Sequence, residues 1–333
     1  LMMRTPRALI VAFLVTGVVS RQCASDTIIE RLPWRIDVSG CTELKLNSRA
    51  RIGADGAQVL ADALKDNSIL TKLKLGVNSI GAEGTRVLAE ALQANSVLTE
   101  LDLTGNAIGD EGAQVLAEAL KVNSALTELN LGVNSIGDEG AQALAEALKV
   151  NSALTKLDLG VNSIGDEGLQ ALAEALKANS ALTKLSLWGN SIGDGGARAL
   201  AGALTKENSA ITELDLTGNM IRDGGARALT EALKVSALSE LDLTGNAVGE
   251  EDALPRALAD QLKAKSALTD ELHLSTANSV KVECAWALAR ALKDKSGLTD
   301  VDDHCFLTRA PQNPFLGTAF SVTHEQTEPK EEL

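Results

Sequence analysis

Tyrosine is missing from the chain, and three Trp with four Phe bring the aromatics to only 2% of 333 residues. Stacking on nucleobases or sugar rings therefore has almost no side chains to draw on. Basic residues are also in deficit, because 31 Lys and Arg face 45 Asp and Glu for a formal net charge of −14. Nucleic acid, whose phosphates demand clustered positive charge, is excluded as a partner on that ground. His273, His304 and His324 are far apart in sequence, and the four cysteines form no Cys-x-x-Cys pair. No metal site and no cofactor can be read from such spacings. No Asn-x-Ser/Thr sequon occurs either.

What the chain has in abundance is repetition. LTELDLTGNAIGDEGAQVLAEALKVNSA, from Leu98, returns nearly unchanged from Leu126 and from Leu154, a period of 28 residues. A unit of that size cannot enclose a core and must stack on copies of itself, so one elongated domain is expected. Within the unit, Leu101 and Leu103 alternate with Glu100, Asp102 and Thr104, the pattern of a short strand buried on one face. Gly105-Asn106 breaks the strand and Ile108 supplies an apolar anchor. Asp110 with Glu111 is expected to cap a helix from about Gly112 to Lys121, which turns Val115, Leu116, Ala119 and Leu120 inward. Strand leucines recur at Leu44, Leu73, Leu101, Leu129, Leu157, Leu185, Leu214, Leu241 and Leu272, with Val301 as a degenerate last copy. Asn78, Asn106, Asn134, Asn162, Asn190, Asn219, Asn246 and Asn278 form a parallel series at the strand exits. Their amides can satisfy backbone groups buried in the turns, a structural role. The first unit has Arg49-Ala50-Arg51 there instead, so its turn should be the least regular.

The pattern LxxLxLxxNxI resembles the leucine-rich repeat, and its 28-residue helical form is similar to the ribonuclease-inhibitor-like class, over Leu44 to Val301. The resemblance implies an α/β fold: a right-handed solenoid or horseshoe with a parallel inner sheet and outer helices. Strands stack about 4.8 Å apart whereas packed helices need about 8–10 Å, so such an array must curve. Relatives in that class include inhibitors, innate-immune sensor domains and activators of the Ran GTPase.

The flanks depart from the repeat. Residues 1–25 carry Arg4 and Arg7 ahead of the apolar run Ala8 to Val19, with small residues before a cleavage point after Ser20. This is the layout of a signal peptide, its apolar run too short for a membrane span. The other reading is a buried segment of a longer protein. Residues 26–43, including Ile28, Ile29, Trp34 and Ile36, are expected to cap the first repeat at the head of the 44–301 array. Residues 302–322, with Phe306, Phe315 and Phe320, would cap the other end, and 323–333 form an acidic tail expected to be disordered. That tail ends Lys330-Glu331-Glu332-Leu333, one substitution from the KDEL retention signal. Together these place the chain in the secretory pathway, secreted or in the ER lumen, with the cytoplasm as the alternative. By resemblance to extracellular relatives, Cys23 would pair with Cys41 and Cys284 with Cys305. Free buried thiols are the other reading, since Cys41 takes the register of a buried Leu and Cys284 that of a helix-start Gly.

No Ser-His-Asp set or phosphate loop is present, and the recurring pairs Asp110/Glu111, Asp138/Glu139 and Asp166/Glu167 are explained by helix starts. A catalytic pair would be singular, so the chain is read as a non-enzyme. What varies between copies is the set of strand residues facing the inner surface. Lys184, Glu213, Asp215, Glu240, Asp242 and Glu271 end that surface in an acidic strip, with Trp188 beside it. Like charges on adjacent strands destabilise the sheet, and an exposed indole is a frequent binding anchor. A protein partner, basic in character, held by a monomer through the concave face is the resulting expectation; simple solvated strand faces are the alternative. Trp286, on the outer helices, is explained by contact with the C-terminal cap. Arg49 and Arg51 are the only arginines placed to support a second possibility, an activator of a GTPase resembling the Ran activator.

Overall fold

Leu44, Leu73, Leu101, Leu129, Leu157, Leu185, Leu214 and Leu241 stand opposite one another, each on the middle residue of a three-residue parallel strand. The computed structural model describes residues 22–23, 28–31, 34–36, 38, 40–46, 51–204, 209–233, 235–238, 240–243, 245–247, 307–309 and 320–322. Its strands are β4 (Glu43–Lys45), β5 (Lys72–Lys74), β6 (Glu100–Asp102), β7 (Glu128–Asn130), β8 (Lys156–Asp158), β9 (Lys184–Ser186), β10 (Glu213–Asp215) and β11 (Glu240–Asp242), in that order in one sheet. Between them run α1 (Gly53–Lys65), α2 (Gly81–Ala94), α3 (Gly109–Leu120), α4 (Asp138–Leu148), α5 (Asp166–Leu176), α6 (Asp194–Ala203) and α7 (Asp223–Leu233), each packed on the next. The chain is thus an open α/β solenoid. Strand leucines, the turn isoleucines such as Ile108 and Ile136, and helix residues such as Leu116, Ala117 and Leu120 form a single continuous core. Alanine on the helices lets neighbouring axes approach closely. Val115, on the edge of the helix face, is only partly buried.

A short strand β1 (Gln22–Cys23) extends the sheet beyond β4, pairing in parallel with it. It lies inside the stretch read as a leader, just past the cleavage point at Ser20. Strands β2 (Ile28–Arg31) and β3 (Trp34–Ile36) form an antiparallel hairpin, and β3 packs on α1 at the head of the array. Further along the chain β12 (Leu307–Arg309) and β13 (Phe320–Val322) form a second antiparallel pair in a sheet of their own. Cys41 is disulfide-bonded and buried. Cys284, Cys305, Trp286, Leu272, Val301 and residues 47–50 of the first turn lie outside the described residues.

Three hydrogen-bonded ladders tie each repeat to its neighbours. In the expected one, Asn106 Nδ2 donates to the carbonyls of Leu75 and Leu103, both at 2.9 Å. Its Oδ1 accepts the N–H groups of Asn78 (2.9 Å) and Ile80 (3.3 Å) in the preceding unit. A second runs along the other edge through Asn95, Asn123, Asn151 and Asn179, all buried. A third uses Thr71, Thr99, Thr127, Thr155, Thr183 and Thr212, whose hydroxyls donate to the carbonyl of the Thr one repeat back.

The helix caps correct the sequence expectation. Asp110 makes no cap on its own helix α3. Its Oδ1 instead accepts the N–H groups of Gly137 (2.7 Å) and Gly140 (2.8 Å), at the start of the following helix α4. Asp138 does the same for Gly165 and Gly168, and Asp194 for Arg222 and Gly225. The anion does sit in the first turn of its own helix, as expected, but its hydrogen bonds go to the helix start of the next repeat. This latch also sets the turn. Gly137, with an Asp behind it, is extended at φ −99°. Gly109, whose preceding repeat has Ala82 in that place, takes φ +61° and donates to the Asn134 carbonyl instead. A Cβ at Gly140 would fall 2.6 Å from Asp110 Oδ1, which is why the latch is written with glycine. Asp138→Ala removes two charge-assisted bonds and should cost about 2 kcal/mol in a urea titration. A change below about 0.5 kcal/mol, the level of an ordinary surface substitution, would show that the latch contributes nothing.

Candidate functional site

In every repeat strand the middle Leu is buried and the residues on either side face the opposite surface. Stacking in register gathers those outward residues into rows along a cleft of about 580 Å³ running from Lys45 to Asp242. Lys184, Glu213, Asp215 and Asp242 line this cleft, as the sequence implied. Glu240 stands opposite Glu213, and Asp242 opposite Asp215, on adjacent strands. Glu271 lies outside the described residues.

The first row reads Glu43, Lys72, Glu100, Glu128, Lys156, Lys184, Glu213, Glu240 and is largely self-neutralised. Lys72 pairs with Glu100 at 2.5 Å, Lys156 with Glu128 at 2.7 Å, and Lys184 with Glu213. Lys74 of the second row reaches Glu43 at 3.3 Å and Glu100 at 3.2 Å. Burial alone would push the Glu100 carboxyl up, but the hydrogen bonds from Lys72 and Lys74 outweigh it and hold it below its ordinary value. Hydrogen bonding to Glu100 raises both lysines in turn. Lys184 and Glu213 are therefore partners of each other before they are partners of anything else.

The second row is different. It reads Lys45, Lys74, Asp102, Asn130, Asp158, Ser186, Asp215, Asp242, with the acids towards β11. Four of these have a local task at the strand exit: Asp102 Oδ1 accepts the N–H and hydroxyl of Thr104, Asn130 Oδ1 the N–H of Gly132, Asp158 Oδ1 that of Gly160 and Asp215 Oδ1 that of Thr217. One carboxylate oxygen of each acid is thus committed to the backbone. Among the described residues no Lys or Arg forms an ion pair with Asp102, Asp158 or Asp215. Burial pushes the Asp158 carboxyl up, and the charges of Asp215 and Asp102 add to this; the Gly160 N–H and the Ser186 hydroxyl offset only part. From sequence Asp102 and Asp158 are outward-facing strand residues like the rest, and they fall outside the acidic strip of the C-terminal third that marks the binding candidates. The visible signal was the alternation of acid with Asn130 and Ser186 along the row.

A raised carboxyl makes ionisation oppose folding, so Asp158 contributes stability below the unfolded-state pKa and loses it as pH rises through the folded value. Asp158→Asn should raise the denaturation midpoint at pH 7, since Asn130 shows that an amide makes the same bond to the residue two places on, here at 2.9 Å. The gain should vanish near pH 3, below the ordinary Asp range of about 3.9. An equal gain at both pH values would mean that the charge is not responsible.

Trp188 is half-buried at the exit of β9. Its indole lies across Gly160 of the preceding repeat, where an added Cβ would meet Nε1 at 1.9 Å. The ring has a seat made by a missing side chain, two residues past Asp158 in the same repeat, and it is not among the residues that line the cleft. Arg51, on the first turn, is exposed at φ +49°; Arg49 lies outside the described residues. Among the described residues no group of His, Cys, Asp and Glu is arranged to hold a metal ion, and no helix is long and apolar enough to cross a membrane.

A leucine-rich-repeat family model matches residues 94–117, 122–145, 150–173, 178–201 and 207–229. No curated protein matches the sequence. Among solved structures that match is leiomodin-1 actin-binding site 2, 27% identical with a TM-score of 0.40, the alignment covering 46% of this chain and 88% of that one. Five matched repeats, the in-register leucines of eight parallel strands and the buried asparagine series agree, and the chain is a leucine-rich-repeat protein.

Proposed function

We propose that the chain is a binding module that takes a basic segment of a partner protein across its concave face. The observation that carries this is the contrast between rows: the first-row lysines are neutralised by neighbouring glutamates, while among the described residues no Lys or Arg forms an ion pair with Asp102, Asp158 or Asp215. A carboxylate such as Asp158, whose ionisation is made costlier by burial and by the charges of Asp215 and Asp102, gains most when a ligand brings the missing charge. Trp188, seated over Gly160 two residues past Asp158, would add a π-face for a cation held there. The Asp of the helix-start pairs is spent on backbone N–H groups of the next repeat, which supports a scaffold rather than a catalyst. The geometry agrees with the ribonuclease-inhibitor-like class in repeat length and helical outer layer.

The test is a fluorescence titration with decalysine and with decaglutamate. Decalysine should bind saturably and more weakly as salt is added. Combining Trp188→Ala, Asp158→Asn and Asp215→Asn should weaken it by about tenfold or more. Equal binding by the triple variant, or preference for decaglutamate, would remove the reading. We place the chain in the secretory pathway on the support of the Cys41 disulfide, a bond that persists in oxidising compartments. Arg21 as the first residue of the protein recovered from a secreting host would support that placement, and an uncleaved leader would overturn it.

A further inference from the structure

We propose that the bound segment is a polyproline-II helix lying across the strands, along the solenoid, with Lys or Arg at every third residue. This rests on the basic-partner reading and follows from the spacing of the second row. Strand register puts Asp102, Asp158 and Asp215 on β6, β8 and β10, with the uncharged Asn130 and Ser186 on the strands between. Strands lie about 4.8 Å apart, so successive acids recur at about 9.6 Å. Among regular chain conformations, few present side chains on one face at that interval. An α-helix rises about 1.5 Å per residue and needs six residues to cover about 9 Å, but six residues leave the side chain about 120° off the face. In a β-strand only even separations share a face, which gives about 6.6 or 13.2 Å. Polyproline II has three residues per turn at about 3.1 Å each, so positions i, i+3 and i+6 share a face at about 9.3 Å intervals.

The rest of the cleft agrees with this register. Lys45 heads the row on β4 and would repel a cation placed further towards the N-terminal end, and Lys74 on β5, held by Glu43 and Glu100, offers such a cation no acid. A slip by one strand sets cations against Asn130 and Ser186. Trp188 follows β9 and lays its indole over Gly160, two residues past Asp158, so a proline ring next to the middle cation is the one placed to meet it. Proline on an aromatic wall is how polyproline helices are commonly held.

Three peptides of equal charge separate the possibilities: (Lys-Pro-Pro)3, a permuted peptide with its three lysines contiguous among the same six prolines, and (Lys-Gly-Ser)3. At fixed ionic strength the periodic proline peptide should bind about tenfold tighter than each of the others. Asp158→Asn, with its fold verified by circular dichroism, should abolish most of the preference over the permuted peptide, because it removes the middle charge. Equal affinity for the periodic and permuted peptides overturns the spacing proposal and leaves the basic-partner reading standing. Equal affinity of the proline and Gly-Ser versions overturns the polyproline conformation. If none of the three, nor decalysine, binds, the proposed function itself fails.

Discussion

Leu129→Asp should unfold the array well beyond the repeat that carries it. The side chain is 2% exposed and flanked in register by Leu101 and Leu157, so a carboxylate there has neither water nor a partner. A buried unpaired charge costs at least about 4 kcal/mol, and nothing inside the repeat can absorb it. The interactions that hold a unit cross to the next one: Thr127 to Thr99, Asn134 to Leu103, and the Asp110 latch to Gly137. Losing β7 orphans the edges of β6 and β8 together with those bonds, and stability in a stacked array is chiefly nearest-neighbour. Hydrogen exchange followed by mass spectrometry should show protection lost from β5 to β9 at least. If only residues 126–153 exchanged faster, the repeats would be independent and the stacking account would be wrong.

How much of this was legible in the sequence depends on whether a residue acts inside its own repeat. Leu101, Ile108, Leu116 and Asn106 face the core whatever their neighbours do, and period and alternation were enough to place them. The in-register rows followed as soon as the repeat was stacked. The Asp latch was misassigned because Asp110 lies in the first turn of α3 but bonds in space to the start of α4; a residue that caps across 27 positions looks, locally, like a residue that caps its own helix. The second asparagine series, Asn95, Asn123, Asn151 and Asn179, has no local signature for the same reason: its amides bond to the preceding repeat. Val77 and Val133, each at φ +59°, sit where sister repeats have Gly105 and Gly189. A β-branched residue in the left-handed region runs against its own preference and is imposed by ladder bonds on both sides. In the cleft, charge was visible but pairing was not. Lys184 and Glu213 looked like separate binding candidates until β9 and β10 were set side by side.

Asn151 gives the sharpest test of the unexpected ladder, because two substitutions at this one position should differ in a definite direction. Its Nδ2 donates to the carbonyls of Leu120 (2.7 Å) and Asn123 (3.0 Å), the last groups of the preceding helix and turn. Its Oδ1 accepts the N–H groups of Ala153 (3.0 Å) and Leu154 (2.8 Å) at the approach to β8. The site is 5% exposed, so water cannot replace these partners readily. Asn151→Ala strands two acceptors and two donors and should cost about 3 kcal/mol or more. Asn151→Asp keeps the acceptor but turns the donor into a carboxylate oxygen facing two carbonyls, so it should cost more than alanine at neutral pH despite its closer shape. Towards acid pH the protonated acid regains one donor and part of the loss. Urea titrations of both variants at neutral and acid pH decide the matter. If Asn151→Asp were the milder change at neutral pH, the amide would be needed for its size alone, and the hydrogen-bond account of this edge would fall.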